Sequence, residues 1–142
     1  MAHVIDASVV IKWYVIEVDS DAATDLLNAE ENFLAPDLLF AECASILAKL
    51  VRRGTMTATR ALEIIVTLMD GPFTVVANRQ IADDALEIAL STPANVSPYD
   101  ASYVALAVRL NTRFITADRK VFNKLQGSPF GKHVSLLADY TN

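Results

Sequence analysis

Short apolar runs alternate with helical segments along most of this chain of 142 residues. Helices that alternate with strands predict an α/β protein in three layers, with a central, mostly parallel sheet flanked by helices on both faces. With no linker or internal repeat in the sequence, we expect one domain over residues 1–142. The expected strands are residues 2–6, 33–35, 73–77, 113–116 and 134–137, and the expected helices are residues 20–31, 38–53, 58–70, 80–91, 99–110 and 119–125.

Local signals refine these boundaries. Residues 9–16 are rich in β-branched and aromatic side chains, so a continued strand is possible, but polar residues at 6–8 favour a turn followed by a short helix. Ser20 is the expected N-cap of the helix at 20–31, and Asp37 is expected to cap the helix at 38–53. Gly54 follows the helix at 38–53, at a position where glycine commonly ends a helix.

Composition narrows the possible classes of protein. Cys43 is the only cysteine, so no intrachain disulfide can form, and we expect a cytoplasmic protein without a targeting segment. No run approaches the roughly 18 uninterrupted apolar residues of a membrane span. The net charge of −5 argues against a simple nucleic-acid-binding protein. A divalent metal bound to acidic residues would, however, offset much of this charge.

Four acidic residues stand within apolar sequence at or near the expected helix starts: Asp6, Glu42, Asp100 and Asp118. Carboxylates are costly to bury unless a cation binds them. Three of the four follow strand ends or begin helices, and in an open α/β sheet such positions meet at the carboxyl edge, where ligands bind. An all-oxygen site favours Mg²⁺ or Mn²⁺. The pattern therefore predicts a metal-dependent enzyme that acts on phosphate.

Each acid also has an ordinary structural explanation. Asp6 and Asp118 could each be a helix N-cap. Asp100 fits a capping box that begins at Ser97, and capping alone would account for it. Glu42 lies near the edge of the apolar stripe of its helix and could be a boundary residue paired across the surface. The common placement of the four, rather than any one of them, therefore supports the metal site.

Other side chains add little chemistry. Ser8 and Thr116 each lie two residues from an acid and could orient it by hydrogen bonding. His3 and His133 have no ligand spacing to another His or Cys, so zinc and histidine-based triads are poorly supported. Cys43 lies on the apolar side of its helix and is expected to be inert.

Three basic residues, Arg119, Lys120 and Lys124, follow Asp118. Such a group is usually a solvated helix face, but it could also contact phosphate. Nucleotide-cradling motifs of the GxxxxGK[ST] or GxGxxG type are absent from the sequence.

Four ordered segments carry a resemblance to a known family: VIDASVVIKW, APDLLFAECASIL, SPYDASYVALA and TADRKVF. In this order and spacing they resemble the PIN-domain ribonucleases, and most of all the VapC toxins of toxin–antitoxin pairs. The resemblance covers the chain from Val4 to about Lys124. No single segment is specific, but the ordered set is, and every acidic position matches the family's acidic quartet.

The resemblance implies a PIN-like fold and an endoribonuclease with Mg²⁺ or Mn²⁺ at Asp6, Glu42, Asp100 and Asp118. It places the family's hydroxyl near the site at Ser8 or Thr116. It also implies an RNA substrate, a homodimer and inhibition by a VapB-type antitoxin. The chemistry is consistent, because carboxylate-held metal can lower the pKa of bound water and stabilise the charge on phosphate.

Three alternatives stay open on the sequence alone. The first is a stand-alone PIN nuclease that processes RNA. The second is a phosphatase of the haloacid dehalogenase class, which needs a second Asp two residues after the first, where this chain has Ser8. The third is a non-catalytic interaction module whose acidic residues only cap helices.

Overall fold

A five-stranded, entirely parallel sheet forms the centre of the computed structural model, which describes residues 2–140. The strands lie side by side in the order β3-β2-β1-β4-β5. They are β1 (Val4–Ile5), β2 (Phe33–Pro36), β3 (Phe73–Val76), β4 (Phe114–Thr116) and β5 (Val134–Leu136). The expected parallel sheet is confirmed, although β2 is one residue longer than predicted and the other four strands are shorter.

Seven α-helices lie in the described part of the chain and flank this sheet. They are α1 (Ala7–Val10), α2 (Ser20–Ala29), α3 (Leu38–Arg52), α4 (Ala58–Met69), α5 (Ala82–Ser91), α6 (Pro98–Arg109) and α7 (Arg119–Gln126). Short 3₁₀ turns occur at Ile11–Trp13, Asn78–Gln80, Gly131–His133 and Leu137–Asp139. The three-layer α/β/α arrangement predicted from the sequence is confirmed.

Neighbouring residues of each central strand point to opposite faces and build two separate cores. Ile5 and Ile115 face the core beneath α1, α2, α3 and α4, whereas Val4 and Phe114 face the core beneath α5, α6 and α7. Because both faces of the sheet are covered, its central strands carry apolar residues at successive positions.

Helix α6 is buried over most of its length. Seven of its residues are inaccessible to solvent: Ala101, Ser102, Tyr103, Val104, Ala105, Leu106 and Ala107. Its small side chains allow close contact with β1, β2 and β4. Since α6 leads into β4, its first turn lies at the carboxyl edge of the sheet and carries Asp100 to that edge.

Three local predictions are corrected by the structure. The short helix after Asp6 is confirmed but begins at Ala7, without an intervening turn. Ser20 is the first residue of α2 and not its cap, because its hydroxyl accepts a hydrogen bond from the Glu17 amide and donates to the Val15 carbonyl. Asp37 does not cap α3 with its side chain.

The start of α3 is instead capped from a neighbouring segment. The side-chain oxygen of Asn78 accepts from the Leu38 amide at 3.0 Å, while Asp37 accepts from the Asn78 amide at 3.0 Å. This exchange joins the carboxyl ends of β2 and β3. It depends on residues 40 positions apart, which no local capping rule can detect.

His3 has a structural contact at the beginning of β1. Its Nδ1 lies 2.7 Å from a carboxylate oxygen of Glu30, and its ring meets Tyr140 edge-on at 5.3 Å. These contacts join the first strand to α2 and to the last described residue of the chain. Within residues 2–140, no helix combines the length and apolar character needed to cross a bilayer.

The end of α3 gives a direct test of backbone geometry. Gly54 has a φ of +78° and completes a Schellman motif, in which the Thr55 amide donates to Leu50 and the Gly54 amide donates to Val51. We predict that Gly54→Ala lowers the free energy of unfolding by about 1 kcal/mol, because a side chain disfavours this left-handed conformation.

The matched control is Gly127→Ala at the end of α7. A Cβ at either glycine meets no atom within 4 Å, but Gly127 has an ordinary φ of −84°. Urea denaturation should therefore show a loss for Gly54→Ala and no loss for Gly127→Ala. Equal effects would show that backbone strain at Gly54 is not the cause.

Candidate active site

Asp6 lies at the boundary between β1 and α1, at the point where strand order reverses. The chain builds β2 and β3 on one side of β1, and β4 and β5 on the other. Such a switch point opens a crevice at the carboxyl edge of the sheet. The Asp6 residue is only 8% exposed, and its side chain forms no capping hydrogen bond to α1. Asp6 thus occupies the N-cap position of α1, but capping does not account for its carboxylate.

Two hydroxyl groups hold the Asp6 carboxylate from opposite sides. The Ser8 hydroxyl donates to Oδ1 at 2.5 Å, and the Thr116 hydroxyl donates to Oδ2 at 2.6 Å. The same hydroxyl oxygens accept from the backbone amides of Ala117 and Asp118, at 2.9 Å and 3.1 Å. The network thus fixes the carboxylate and joins the ends of β1 and β4. Thr116, which is close to Asp118 in sequence, acts on Asp6 through its side chain.

Glu42 projects from α3 and is half-buried. The phenolic hydroxyl of Tyr103 donates to its Oε1 at 2.5 Å. Tyr103 is 1% exposed, and its ring stacks on Phe114 of β4 with a centroid separation of 5.3 Å and an interplanar angle of 14°. Packing against the sheet therefore fixes the position of the hydroxyl that holds Glu42.

Tyr103 is a site residue that the sequence prediction missed. Its position three residues after Asp100 places both residues on one side of α6. That spacing is a usable signal, since a tyrosine one turn after an acidic residue at a helix start can present its hydroxyl to the same crevice. A buried tyrosine is otherwise read as core.

Asp100 and Asp118 both take part in helix capping. The Ser97 hydroxyl accepts from the Asp100 amide at 3.2 Å, as the capping-box prediction requires. The Asp118 carboxylate accepts from the amides of Lys120 and Val121, at 2.9 Å and 3.3 Å. Capping therefore accounts for the position of Asp118, whereas the Asp100 carboxylate is half-buried beside Ser97.

The four carboxylates form an electrostatic series from the interior to the surface. Burial raises the pKa of Asp6 to about 7, and Glu42 adds to this rise despite the hydrogen bonds from Ser8 and Thr116. Burial also raises the pKa of Glu42, with a smaller contribution from Asp100. Burial raises the pKa of Asp100 in turn, and the charge of Asp118 adds to it. Each acid therefore destabilises the charged form of the one deeper in the series.

The chemistry of these donors fits a hard divalent cation. All four side chains offer oxygen, and none of them forms a salt bridge within residues 2–140. As the side chains lie, however, no three carboxylate, imidazole or thiol groups in the described part of the chain are arranged to hold one metal ion. Metal binding would thus require rotation of Glu42 or Asp100 toward Asp6, or bridging water molecules.

Cys43 lies next to Glu42 in sequence but is unsuited to chemistry. It is fully buried, and burial raises the pKa of its thiol to about 12, with Asp6 and Glu42 contributing. The thiol is therefore protonated at neutral pH, and its prediction as an inert core residue is confirmed.

Comparison with known proteins gives the family. The PIN domain family matches residues 3–127. Ribonuclease VapC3 from Pyrobaculum aerophilum is 31% identical over 126 residues, which cover 87% of this chain and 95% of that protein. The chain belongs to the VapC family of PIN-domain proteins. The predicted family is thus confirmed, and the matched range contains all four acidic residues.

Solved structures support the same fold. The crystal structure of PAE2754 from Pyrobaculum aerophilum has a TM-score of 0.71 at 20% identity, covering 97% of this chain and 92% of that one. Mycobacterium tuberculosis VapC20, described as a sarcin–ricin loop cleaving toxin, has a TM-score of 0.64 at 13% identity, covering 82% of this chain and 88% of that one. At these identities the likeness extends to the fold alone.

The raised pKa of Asp6 predicts how stability depends on pH without metal. The folded state holds this proton more tightly than the unfolded chain, so the stabilisation is complete below the ordinary pKa of 3.8 and is lost as pH rises through about 7. We predict that ionisation of Asp6 lowers the free energy of unfolding by roughly a few kcal/mol between pH 3.8 and about pH 7.

The measurement is urea denaturation of wild type and Asp6→Asn with EDTA, at intervals across this pH range. Asparagine cannot ionise, so wild type should lose stability relative to the variant as pH rises. Two curves that stay parallel would mean that burial does not perturb the ionisation of Asp6.

Proposed function

We propose that this protein is a Mg²⁺- or Mn²⁺-dependent endoribonuclease and the toxin of a VapBC-type toxin–antitoxin pair. The observation that carries the proposal is the acidic series itself. Asp6, Glu42 and Asp100 have raised pKa values and form no salt bridge among the described residues, in a chain related to proteins named VapC ribonucleases. A bound divalent cation would relieve the repulsion among them.

Asp6, Glu42 and Asp100 are the principal metal-site acids in this proposal, and Asp118 contributes directly or through water. Bound Mg²⁺ or Mn²⁺ would supply a water of lowered pKa and shield the phosphate charge. Ser8 and Thr116 keep both oxygens of Asp6 in a fixed orientation, and Tyr103 does the same for one oxygen of Glu42. The protein thus provides a positioned set of negative oxygen ligands.

The nucleophile in this proposal is water, because no nearby side chain is prepared for attack. The Cys43 thiol is buried and protonated. The Ser8 hydroxyl donates its proton to Asp6 and accepts from the Ala117 amide, so it is fully engaged. Hydrolysis by water leaves no covalent enzyme intermediate.

RNA is the proposed substrate, and the cytoplasm is the proposed place of action. A VapB-type antitoxin and a second copy of the chain are the proposed partners. One surface suits an apolar partner segment: a groove of about 380 Å³ between α3 and α4, lined by residues that include Ala44, Ala48, Ala61 and Ile65. Leu62, which also lines the groove, and Val66, one turn further along α4, are 65% and 63% exposed. Covering these side chains would favour complex formation.

A non-catalytic module is the second candidate, and one observation favours it: Asp118 caps α7, and the Ser97 hydroxyl caps α6 at Asp100. The Asp6 side chain, however, makes no capping hydrogen bond, and Glu42 lies inside α3 with its carboxylate bonded to Tyr103. A haloacid dehalogenase phosphatase is disfavoured, because Ser8 stands where that chemistry needs an Asp and its hydroxyl serves Asp6. A stand-alone PIN nuclease would lack an antitoxin gene beside its own.

We predict that Asp6→Asn and Asp100→Asn each abolish RNA cleavage while the fold survives. Each substitution removes one carboxylate charge with little change of shape. We expect each variant to lose at least two orders of magnitude in rate, which corresponds to about 3 kcal/mol in the activation barrier. The measurement is the cleavage rate of an RNA panel in Mg²⁺ or Mn²⁺, with circular dichroism to check the fold.

The matched control is Asp25→Asn, an exposed carboxylate on α2 whose loss makes the same change in net charge. It should cleave RNA at the wild-type rate. Wild-type cleavage by Asp6→Asn or Asp100→Asn would remove that residue from the proposed site.

The proposed antitoxin gives a further prediction. It should block the acidic crevice with an Arg or Lys side chain, since a guanidinium can bind a carboxylate bidentately and compete with metal. Co-purified with the small protein encoded beside it, this chain should lose RNase activity, and separation should restore it. A complex that cleaves RNA as fast as the free protein would contradict this inhibition.

A variant pair tests where the antitoxin packs. Leu62→Asp, in the lining of the groove between α3 and α4, should weaken the complex at least tenfold, because it places a charge in an apolar contact. Leu90→Asp on α5 is the control, since Leu90 is also strongly exposed, at 78%, but lies on another helix. If Leu62→Asp and Leu90→Asp bound the antitoxin with equal affinity, the antitoxin would not pack in the groove between α3 and α4.

A further inference from the structure

The basic residues of α7 lie beside the acidic crevice. This helix of eight residues contains three of the chain's 12 Lys and Arg side chains and no acidic ones. Asp118 caps its first turn, so the helix begins at the outer end of the acidic series. A local concentration of positive charge in a chain of net charge −5 needs an explanation.

These cations are not used for internal ion pairs. Within residues 2–140, the salt bridges involve His3, Lys12, Arg60 and Arg109, and none involves α7. Arg119, Lys120 and Lys124 are exposed. Their charges are therefore available to an external anion.

Lys124 lies near the start of α6, which carries Asp100. Its Nζ is 3.4 Å from the carbonyl oxygen of Asn95, in the loop that leads to the Ser97 cap of α6. Its charge lowers the pKa of Asp100, against the larger rise due to burial. Lys120 precedes it by four residues, so the two side chains start from the same side of α7, with their Cα atoms about 6 Å apart along the helix axis.

A polyanionic substrate has an electrostatic difficulty at this site. Four carboxylates would repel the phosphates that flank the cleaved bond, and a metal in the crevice would neutralise charge only locally. Lysines beside the crevice would attract the flanking phosphates and raise the rate of encounter. RNA fits these features better than an acidic protein segment, because the lysines adjoin the proposed site of cleavage.

We infer that Lys120 and Lys124 form a phosphate-binding subsite that holds the RNA backbone next to the cleaved bond. This inference rests on the proposed ribonuclease function. The subsite contributes affinity without reading sequence, since phosphate contacts carry no base information. It contacts phosphates beside the reacting one and takes no part in the bond that breaks.

The test compares the variant Lys120→Gln/Lys124→Gln with the control Lys49→Gln/Lys132→Gln. All four lysines are exposed, and both double substitutions change net charge equally. The probe is a fluorescein-labelled single-stranded RNA, with binding measured by anisotropy in EDTA from about 50 to about 200 mM KCl. EDTA prevents metal-dependent cleavage during the measurement.

Each lost phosphate contact should reduce the slope of log affinity against log salt by about 0.7, so the α7 variant should lose about 1.4. Over this fourfold range of salt, wild type would then lose about sevenfold more affinity than the variant. In Mn²⁺, the variant should cleave long RNA with a raised KM and an unchanged kcat, and it should cleave a dinucleotide, which lacks flanking phosphates, as wild type does. The control should match wild type throughout.

If the α7 variant showed the same salt slope as the control, and wild type cleaved RNA, the subsite would be overturned and the proposed function would stand. The same conclusion would follow if kcat fell while KM stayed constant. Wild-type RNA binding combined with weakened antitoxin binding would assign the lysines to a protein contact instead. Wild-type protein that neither binds nor cleaves any RNA would overturn the ribonuclease proposal and the subsite with it.

Discussion

The buried carboxylate of Asp6 is the constraint on which the rest of the site depends. Removing a carboxylate from water is costly unless hydrogen bonds or a cation compensate. Here Ser8 and Thr116 each donate to one carboxylate oxygen, yet burial still raises the pKa of Asp6 to about 7. Two hydrogen bonds therefore orient the group without removing the cost of its charge. A site with such residual cost is suited to a ligand that brings positive charge.

The sheet topology explains why this cost falls at one place. Because β1 and β4 are neighbours and parallel, the residues that follow them lie side by side, and Thr116 can reach Asp6 across 110 positions of sequence. Helix α6 begins at the same edge and supplies both Asp100 and Tyr103, whose hydroxyl holds Glu42. Residues from four separated segments thus meet without any long functional loop.

The order of helices and strands followed from the sequence because apolar periodicity and buried β-branched runs are local signals. The acidic positions were also visible, since each interrupts an apolar segment. Long-range hydrogen bonds were not visible in the sequence. The start of α3 is capped by Asn78, and the donor to Glu42 is Tyr103. Such partners depend on which elements become neighbours, and a single sequence does not encode that in a local pattern. The metal-binding and catalytic roles of the four acids remain predictions.

The central claim is that Asp6, Glu42 and Asp100 share a divalent cation at the switch point of the sheet. Anomalous diffraction from crystals soaked in Mn²⁺ tests it most directly, because it locates the ion without relying on activity. The account predicts an anomalous peak within about 2.0–2.3 Å of an Asp6 oxygen, with Glu42 or Asp100 as a further ligand directly or through water. The peak should be lost in Asp6→Asn crystals. Two results at saturating Mn²⁺ would contradict the account: the absence of an anomalous peak at Asp6 in wild-type crystals, or a peak that persists in Asp6→Asn crystals.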